Sequence, residues 1–273
     1  MATLSPLTNS FFQTFTTTAS KSFLQTIKST TMEITAEKKK IFVAGATGKT
    51  GKRIVEQLLA KGFAVKAGMR DADKAKTIFA NQTEDLQFVK ADVTEGFEKL
   101  ADAIGDDSVA VICATGFQYS LDVLAPWKVD YYGTINLVDA CRKVGVSRFI
   151  FVSSILVNGA AMGQLLNPAY IVLNAFGLVL MAKLQAEQYI RKSGINYTIV
   201  RPGGLKNDPP NGSIVMESED TLFEGSISRD QVAEVAVEAL LHQQSSYKVV
   251  EIVARTDAPK KSFEDLFSSI QER

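Results

Sequence analysis

The chain has 273 residues, 46% of them hydrophobic, and its 30 Lys+Arg are balanced by 30 Asp+Glu. That length can bury a full core in one large domain or two small ones, and a formal net charge of zero offers no field to draw the molecule onto nucleic acid or an anionic membrane. Cys113 and Cys141 lack C-x-x-C spacing and His242 is the only histidine, so no zinc ligand set exists, no metal is expected, and the two thiols read as buried and reduced.

From Met1 to Met32 the sequence is built largely of Ser, Thr and Phe, carries Lys21 and Lys28, and meets its first acidic residue only at Glu33. This is the composition of a transit peptide. The missing arginine and the run Thr16-Thr17-Thr18 favour chloroplast over mitochondrion, and no long apolar core follows a basic start as a signal peptide requires. Residues 1–36 are therefore read as a chloroplast transit peptide, with an ordinary disordered tail as the alternative, and residues 37–273 as a single folded domain. Lys38-Lys39-Lys40 reads as a solvated lead-in to the first strand.

Beyond Lys40, short β-branched runs alternate with longer stretches of helical period, the pattern of an α/β, doubly wound parallel sheet of Rossmann type. About seven strands are expected: Ile41 to Ala44, Ala64 to Met69, Leu86 to Val89, Val109 to Cys113, Phe149 to Val152, Tyr197 to Val200 and Val249 to Val253. The first strand runs straight into Gly45-Ala-Thr-Gly48-Lys-Thr-Gly51, glycines spaced G-x-x-G-x-x-G. Ile54, Val55, Leu58 and Leu59 follow as the apolar stripe of a helix that stops at Gly62. Strand, glycine loop and helix in this order form a pyrophosphate cradle, because glycine lets the backbone approach and the helix N-terminus offers free amides and a positive dipole. Gly45, Thr47, Gly48, Lys49, Thr50 and Gly51 are the candidate phosphate-binding residues. A Walker A loop is excluded, since its spacing would need glycine where Val43 stands.

The second strand ends Gly68-Met69-Arg70-Asp71. An acid at this point holds the ribose hydroxyls of NAD, whereas arginine neutralises the 2′-phosphate of NADP. Arg70 comes first, and Asp71 reads more simply as the N-cap of the next helix, so the expected cofactor is NADP, with NAD the less favoured choice.

With these motifs in place the chain resembles an atypical short-chain dehydrogenase/reductase of the NAD(P)-binding, NmrA-like family, over nearly all of its length after the leader. Ala91-Asp92-Val93 is similar to the family's adenine-contacting segment, and Cys113-Ala114-Thr115-Gly116 to the loop after the fourth strand, near pyrophosphate and ribose. The stretch from Val129 to Val138 resembles the helix behind that loop. Asn196 to Gly204 and Asp220 to Gly225 resemble the dinucleotide-binding domains of chloroplast proteins that tether ferredoxin-NADP reductase. Those relatives carry Pro/Ser-rich repeats that have no counterpart in this sequence, so tethering is not implied.

The resemblance also implies a Ser-Tyr-Lys set with the tyrosine four residues before the lysine, on one helical face. Lys183 fits the lysine and Ser153 the serine, but Val179 stands at the tyrosine's place. Tyr170 is the substitute acid that the sequence offers, with a packing role as its alternative. Lys183 can still hold the nicotinamide ribose, and Pro202 and Gly203 bring backbone towards the nicotinamide amide. From Ile171 to Ala182 the only polar residue is Asn174, in a run too short to span a bilayer. A core helix, half of a homodimer interface, and peripheral association with the thylakoid or envelope membrane are its three readings. His242 is expected in the last turn of a helix, and Trp127 beside Pro126. The functional expectation is an NADPH-dependent reductase of an unidentified small plastid substrate, or else a non-catalytic NADP(H)-sensing or docking protein at a plastid membrane.

Overall fold

In the computed structural model the described residues are 38–71, 77–79, 83–116 and 122–271. The expected transit peptide, and the helix that Asp71 is expected to cap, lie outside them. Strands β1 (Lys40–Ala44), β2 (Ala64–Met69), β3 (Leu86–Lys90), β4 (Ser108–Cys113), β5 (Arg148–Val152) and β6 (Asn196–Pro202) are followed by β7 (Gly204–Lys206), β8 (Ser213–Ser218), β9 (Ser226–Ser228) and β10 (Lys248–Arg255). The helices are α1 (Lys49–Ala60), α2 (Phe97–Ile104), α3 (Gly133–Val144), α4 (Pro168–Ala175), α5 (Val179–Lys192), α6 (Arg229–Leu241) and α7 (Phe263–Ser268), and a π-helix, Trp127–Tyr132, leads directly into α3.

Eight strands form one sheet in the order β3-β2-β1-β4-β5-β6-β10-β8, parallel except for β8, which pairs antiparallel with β10. All seven expected strands are in it. The eighth, Ser213–Ser218, and the short parallel pair of β7 with β9 were not expected, because neither segment has an apolar run of strand length and both exist through long-range pairing.

The central strands are buried along almost their whole length, so both faces of the sheet need a cover. Side-chain alternation divides the core accordingly. Ile41 and Val43 pack with Ile54, Val55 and Leu58 of α1 and Val232 and Ala236 of α6; Phe42 and Ala44 pack with Leu100 of α2, Leu137 and Cys141 of α3 and Ala186 and Ile190 of α5. Gly62, at φ +83°, ends α1 in the left-handed conformation, as its position in the sequence predicts.

The chain winds outward from β1 to β3 and then returns to β4 on the other side of β1. The strand order reverses at this point, which leaves a crevice at the carboxyl ends of β1 and β4. The run Ile171 to Ala182 is not a core helix, which corrects that expectation for its first half: α4 has no buried residue, and the chain turns by 86° between α4 and α5. The break is at Gly177, φ +89°, where an added Cβ would lie 2.1 Å from the Val123 carbonyl oxygen. Among the described residues no single helix is long and apolar enough to cross a membrane.

Candidate functional site

The glycine loop sits in that crevice, and two of its glycines are required by contact. At Gly45, φ +77°, a Cβ would meet the Ala114 carbonyl oxygen at 2.9 Å; at Gly51, in the first turn of α1, it would meet the Gly45 carbonyl oxygen at 2.1 Å. The loop is thus folded against the end of β4 and against itself. Gly48 is the N-cap of α1, with extended backbone, and donates its amide to the Gly45 carbonyl at 2.9 Å. No side chain caps α1 and its first turn holds no acid, so neither of these neutralises the positive end of its dipole. Thr47 and Thr50 are half-buried beside this end and Lys49 is exposed. Backbone donors, positive dipole and hydroxyls are the chemistry a pyrophosphate needs, so the residues fit a dinucleotide.

Strand register brings Arg70 to the same place. Ala44 pairs with Gly68, and the Ala46 amide donates to the Gly68 carbonyl at 3.1 Å, which ties the loop to the end of β2. Met69 is buried, and Arg70 and Asp71 emerge exposed just beyond it. After β3, Asp92 Oδ1 accepts hydrogen bonds from the amide and hydroxyl of Thr94 at 2.9 and 2.8 Å. Val93 is fixed by Asn136 Nδ2, which donates to its carbonyl at 2.9 Å, and by Gly133, where a Cβ would lie 2.6 Å from Val93 Cγ2. After β4, the Ala114 amide donates to Ala44 at 3.0 Å, the Thr115 hydroxyl lies 3.2 Å from Cys113 Sγ, and Gly116 is exposed. Burial pushes the Cys113 and Cys141 thiols up, so both stay protonated core residues.

Lys183 has a partner that the sequence does not announce. Its Nζ is 2.9 Å from Oδ1 of Asp130 in the π-helix, with side-chain exposures of 11% and 0%. The ammonium also lies 5.3 Å from the Phe151 ring centroid and 3.5 Å from the Val152 carbonyl oxygen. A Cβ on Gly116 would be 3.8 Å from Asp130 Oδ1, so the pair stands directly behind the loop after β4. Val179 is half-buried one turn before Lys183.

Ser153 directly follows β5, at the strand end where it is expected, but its hydroxyl donates to Glu187 Oε1 at 2.5 Å. Glu187 belongs to a buried charge network around Arg201. Arg201 Nη2 reaches Glu187 Oε2 at 2.6 Å, and its Nη1 reaches Asp220 Oδ1 at 2.8 Å and Glu251 Oε1 at 3.2 Å. Burial works against the guanidinium charge, but the Glu187 and Asp220 carboxylates together more than offset this and raise the Arg201 pKa. Glu251, fully buried, also accepts the amides of Asp220, Thr221 and Leu222 and thereby fixes the turn after β8; burial pushes its carboxyl up, and the Leu222 and Asp220 amides and Arg201 offset only part of this.

Tyr170 packs against the Gly159 turn, where a Cβ would meet its ring at 2.5 Å, and joins a small apolar cluster with Ile155, Leu156, Leu180 and Leu222. Pro202 and Gly203 are buried. The Pro202 carbonyl accepts the Ile155 amide at 3.1 Å, and the Gly203 amide donates to Ile252 at 2.9 Å. The structure therefore gathers the glycine loop, Arg70, residues 92–93 and 114–116 and Lys183 along one carboxyl edge, whereas Ser153 and Tyr170 are committed to packing and to the buried network. Asp130, Glu187 and Glu251 were missed. A lone acid in an apolar helix, and an acid four residues beyond Lys183 on the same face, are the signals that mark the first two.

A family model described as NAD(P)H-binding matches residues 45–243. The chain belongs to this NAD(P)H-binding family. A chloroplastic protein of Arabidopsis thaliana, itself uncharacterized, is 73% identical over 85% of this chain and 83% of its own length. Protein TIC 62, chloroplastic, of Pisum sativum is 38% identical over 84% of this chain, which spans 46% of that longer relative. Among solved structures, an oxidoreductase of Lactococcus lactis superposes with a TM-score of 0.70 at 26% identity, over 84% of this chain and 95% of that one. This NAD(P)H-binding protein accordingly has a Rossmann-type, oxidoreductase-like fold and is a chloroplast protein, as its N-terminal composition implies.

Proposed function

We propose that this chain is an NADP(H)-dependent oxidoreductase of the plastid, with pyrophosphate at the N-terminus of α1, the 2′-phosphate at Arg70 and the nicotinamide ribose at Lys183. The observation that supports the cofactor choice is the register of β1 with β2, since Ala44 pairs with Gly68 and Arg70 follows, exposed, two residues beyond it. The planar fork of its guanidinium fits phosphate, and such charge-assisted bonds are stronger than neutral ones. When bound, the dinucleotide supplies a hydride; this chain's residues bind it, orient it and keep Lys183 in place. Titration calorimetry on the full chain tests the assignment. Arg70→Ala is expected to weaken NADPH by about ten-fold or more while leaving NADH nearly unchanged, and equal losses for both overturn it.

A second reading, an NADP(H)-sensing or docking protein without turnover, has its own observation: Val179 stands one turn before Lys183, and the Ser153 hydroxyl is spent on Glu187. Following the nicotinamide absorbance of NADPH incubated with the protein and a plastid extract separates the two. Protein-dependent oxidation supports the oxidoreductase, and a flat trace supports the sensor.

A further inference from the structure

We propose that Asp130 is a positioning residue for the cofactor: its carboxylate holds the Lys183 ammonium in the place where that ammonium meets the nicotinamide ribose. The inference rests on the NADP(H) reading above, which puts the ribose at Lys183, and it names the group through which Lys183 is held ready.

A lysine head sits on a flexible four-carbon stem, so its own helix does not fix it. The groups that fix Lys183 come from other elements. Its Nζ lies 2.9 Å from Asp130 Oδ1 of the π-helix, 3.5 Å from the Val152 carbonyl oxygen at the end of β5 and 5.3 Å from the centroid of the Phe151 ring. An ammonium has three N–H donors. One is directed at the carboxylate and a second at the carbonyl, which leaves the third for a ribose hydroxyl, on the side where 11% of the side chain is still open. Asp130 itself is 0% exposed and out of a ligand's reach, so what it does for the cofactor it does through Lys183.

The carboxylate is in turn held firmly. The buried Thr134 hydroxyl donates to the Asp130 carbonyl at 2.8 Å, and Gly133, the residue after the π-helix, packs so closely on Val93 that a Cβ would lie 2.6 Å from Val93 Cγ2. A Cβ on Gly116 would be 3.8 Å from Asp130 Oδ1. The π-helix and the residue that follows it therefore abut the segment after β3, the loop after β4 and, through Asp130, Lys183 on α5. Stability alone is a poor reason for such a pair, because buried charges offset their lost hydration only with good geometry, and apolar side chains of the same volume do as well. Preorganisation is a better one: an ammonium already in place spares binding the entropy of ordering its stem. A wide turn that stands where it delivers this carboxylate agrees with that reason, since such turns recur at functional sites.

The experiment is calorimetry on the full chain with two probes. NADPH spans the whole site, whereas adenosine 2′,5′-bisphosphate carries the adenosine and two phosphates but no nicotinamide ribose. Asp130→Asn is expected to weaken NADPH by about ten-fold, the scale of a lost hydrogen bond to a charged group, and to leave the bisphosphate unchanged. Lys183→Met is expected to do the same, and the double variant to bind NADPH no more weakly than Lys183→Met alone. Bisphosphate binding also reports that each variant is folded; should Asp130→Asn not fold, Asp130→Ser carries the same expectations. A loss shared equally by the two probes overturns the proposal, since a merely structural residue would produce it. So does a double variant whose loss is the product of the two single losses. If Lys183→Met weakens NADPH and Asp130→Asn does not, the role of Asp130 falls and the cofactor reading stands. If Lys183→Met leaves NADPH unchanged, the reading that puts the ribose at Lys183 falls, and the inference with it.

Discussion

At the scale of single residues the site turns on a charge pair. Lys183 and Asp130 are both removed from water, and a buried ion pair is costly to break from one side because the remaining charge has no compensation. Asp130→Asn is therefore expected to destabilise the protein by about 3 kcal/mol in denaturant titrations, and adding Lys183→Met to it is expected to recover a good part of that loss. Strictly additive losses in this cycle would show that the two side chains do not act as a pair. Lys183 was legible from its place in the chain. Its partner was not, since nothing in the local pattern around Val129 to Gly133 says which distant ammonium the acid will meet. Ser153 shows the complementary case: its position was legible, but its use was not, because Glu187 takes its hydroxyl.

At the scale of elements, two helices show how local chemistry and tertiary demand share the work. α6 starts with a full capping box, in which Ser228 accepts from the Gln231 amide and Gln231 reaches back to the Ser228 amide. Ser228→Ala should cost about 1 kcal/mol, with the thermal midpoint as the measurement, and a neutral result would show that neighbouring packing alone fixes this end. The Trp127–Tyr132 π-helix is the opposite case. Its wider turn, opening directly into α3, aims Asp130 at Lys183, and Trp127 meets Tyr131 edge-on at 5.7 Å between centroids. Wide helical turns carry no propensity signature of their own and persist only where packing imposes them, so the resemblance of this stretch to the family's helix says nothing of its winding. The break between α4 and α5 was hidden for a similar reason: Gly177 is visible in the sequence, but the Val123 carbonyl that makes it necessary is distant.

At the scale of the whole molecule, Asp107 joins three strands at the amino edge of the sheet. It accepts from Lys40 of β1 at 2.7 Å and also from Lys66 of β2, and it directly precedes β4. The Lys40 hydrogen bond, followed by that of Lys66, lowers its carboxyl from 3.8 to about 2. A carboxyl held lower in the folded state than in the unfolded chain stabilises the fold above the unfolded value, and this contribution is lost as pH falls through the folded one. Between pH 4 and 2 the thermal midpoint should therefore fall more steeply for the wild type than for Asp107→Asn. Identical acid limbs in the two proteins would remove Asp107 from the account. The carboxyl edge has its own long-range tie in Arg201, Glu187 and Glu251, which locks β6, α5 and β10 together and holds the turn that follows β8.

The sequence by itself determined the doubly wound sheet, the placement of seven of its strands, the glycine loop at the head of α1 and the arginine beside it. These follow from periodicity, from what glycine alone allows and from rules of chain winding, all of which act over a few neighbouring residues. Only the tertiary structure decided that β8 closes the sheet in the antiparallel sense, that Asp130 holds Lys183, and that Ser153 belongs to a buried network with Glu187 and Arg201. Those are meetings of side chains and edges far apart in the chain, and their energies come from burial and pairing that exist only once the sheet has brought them together.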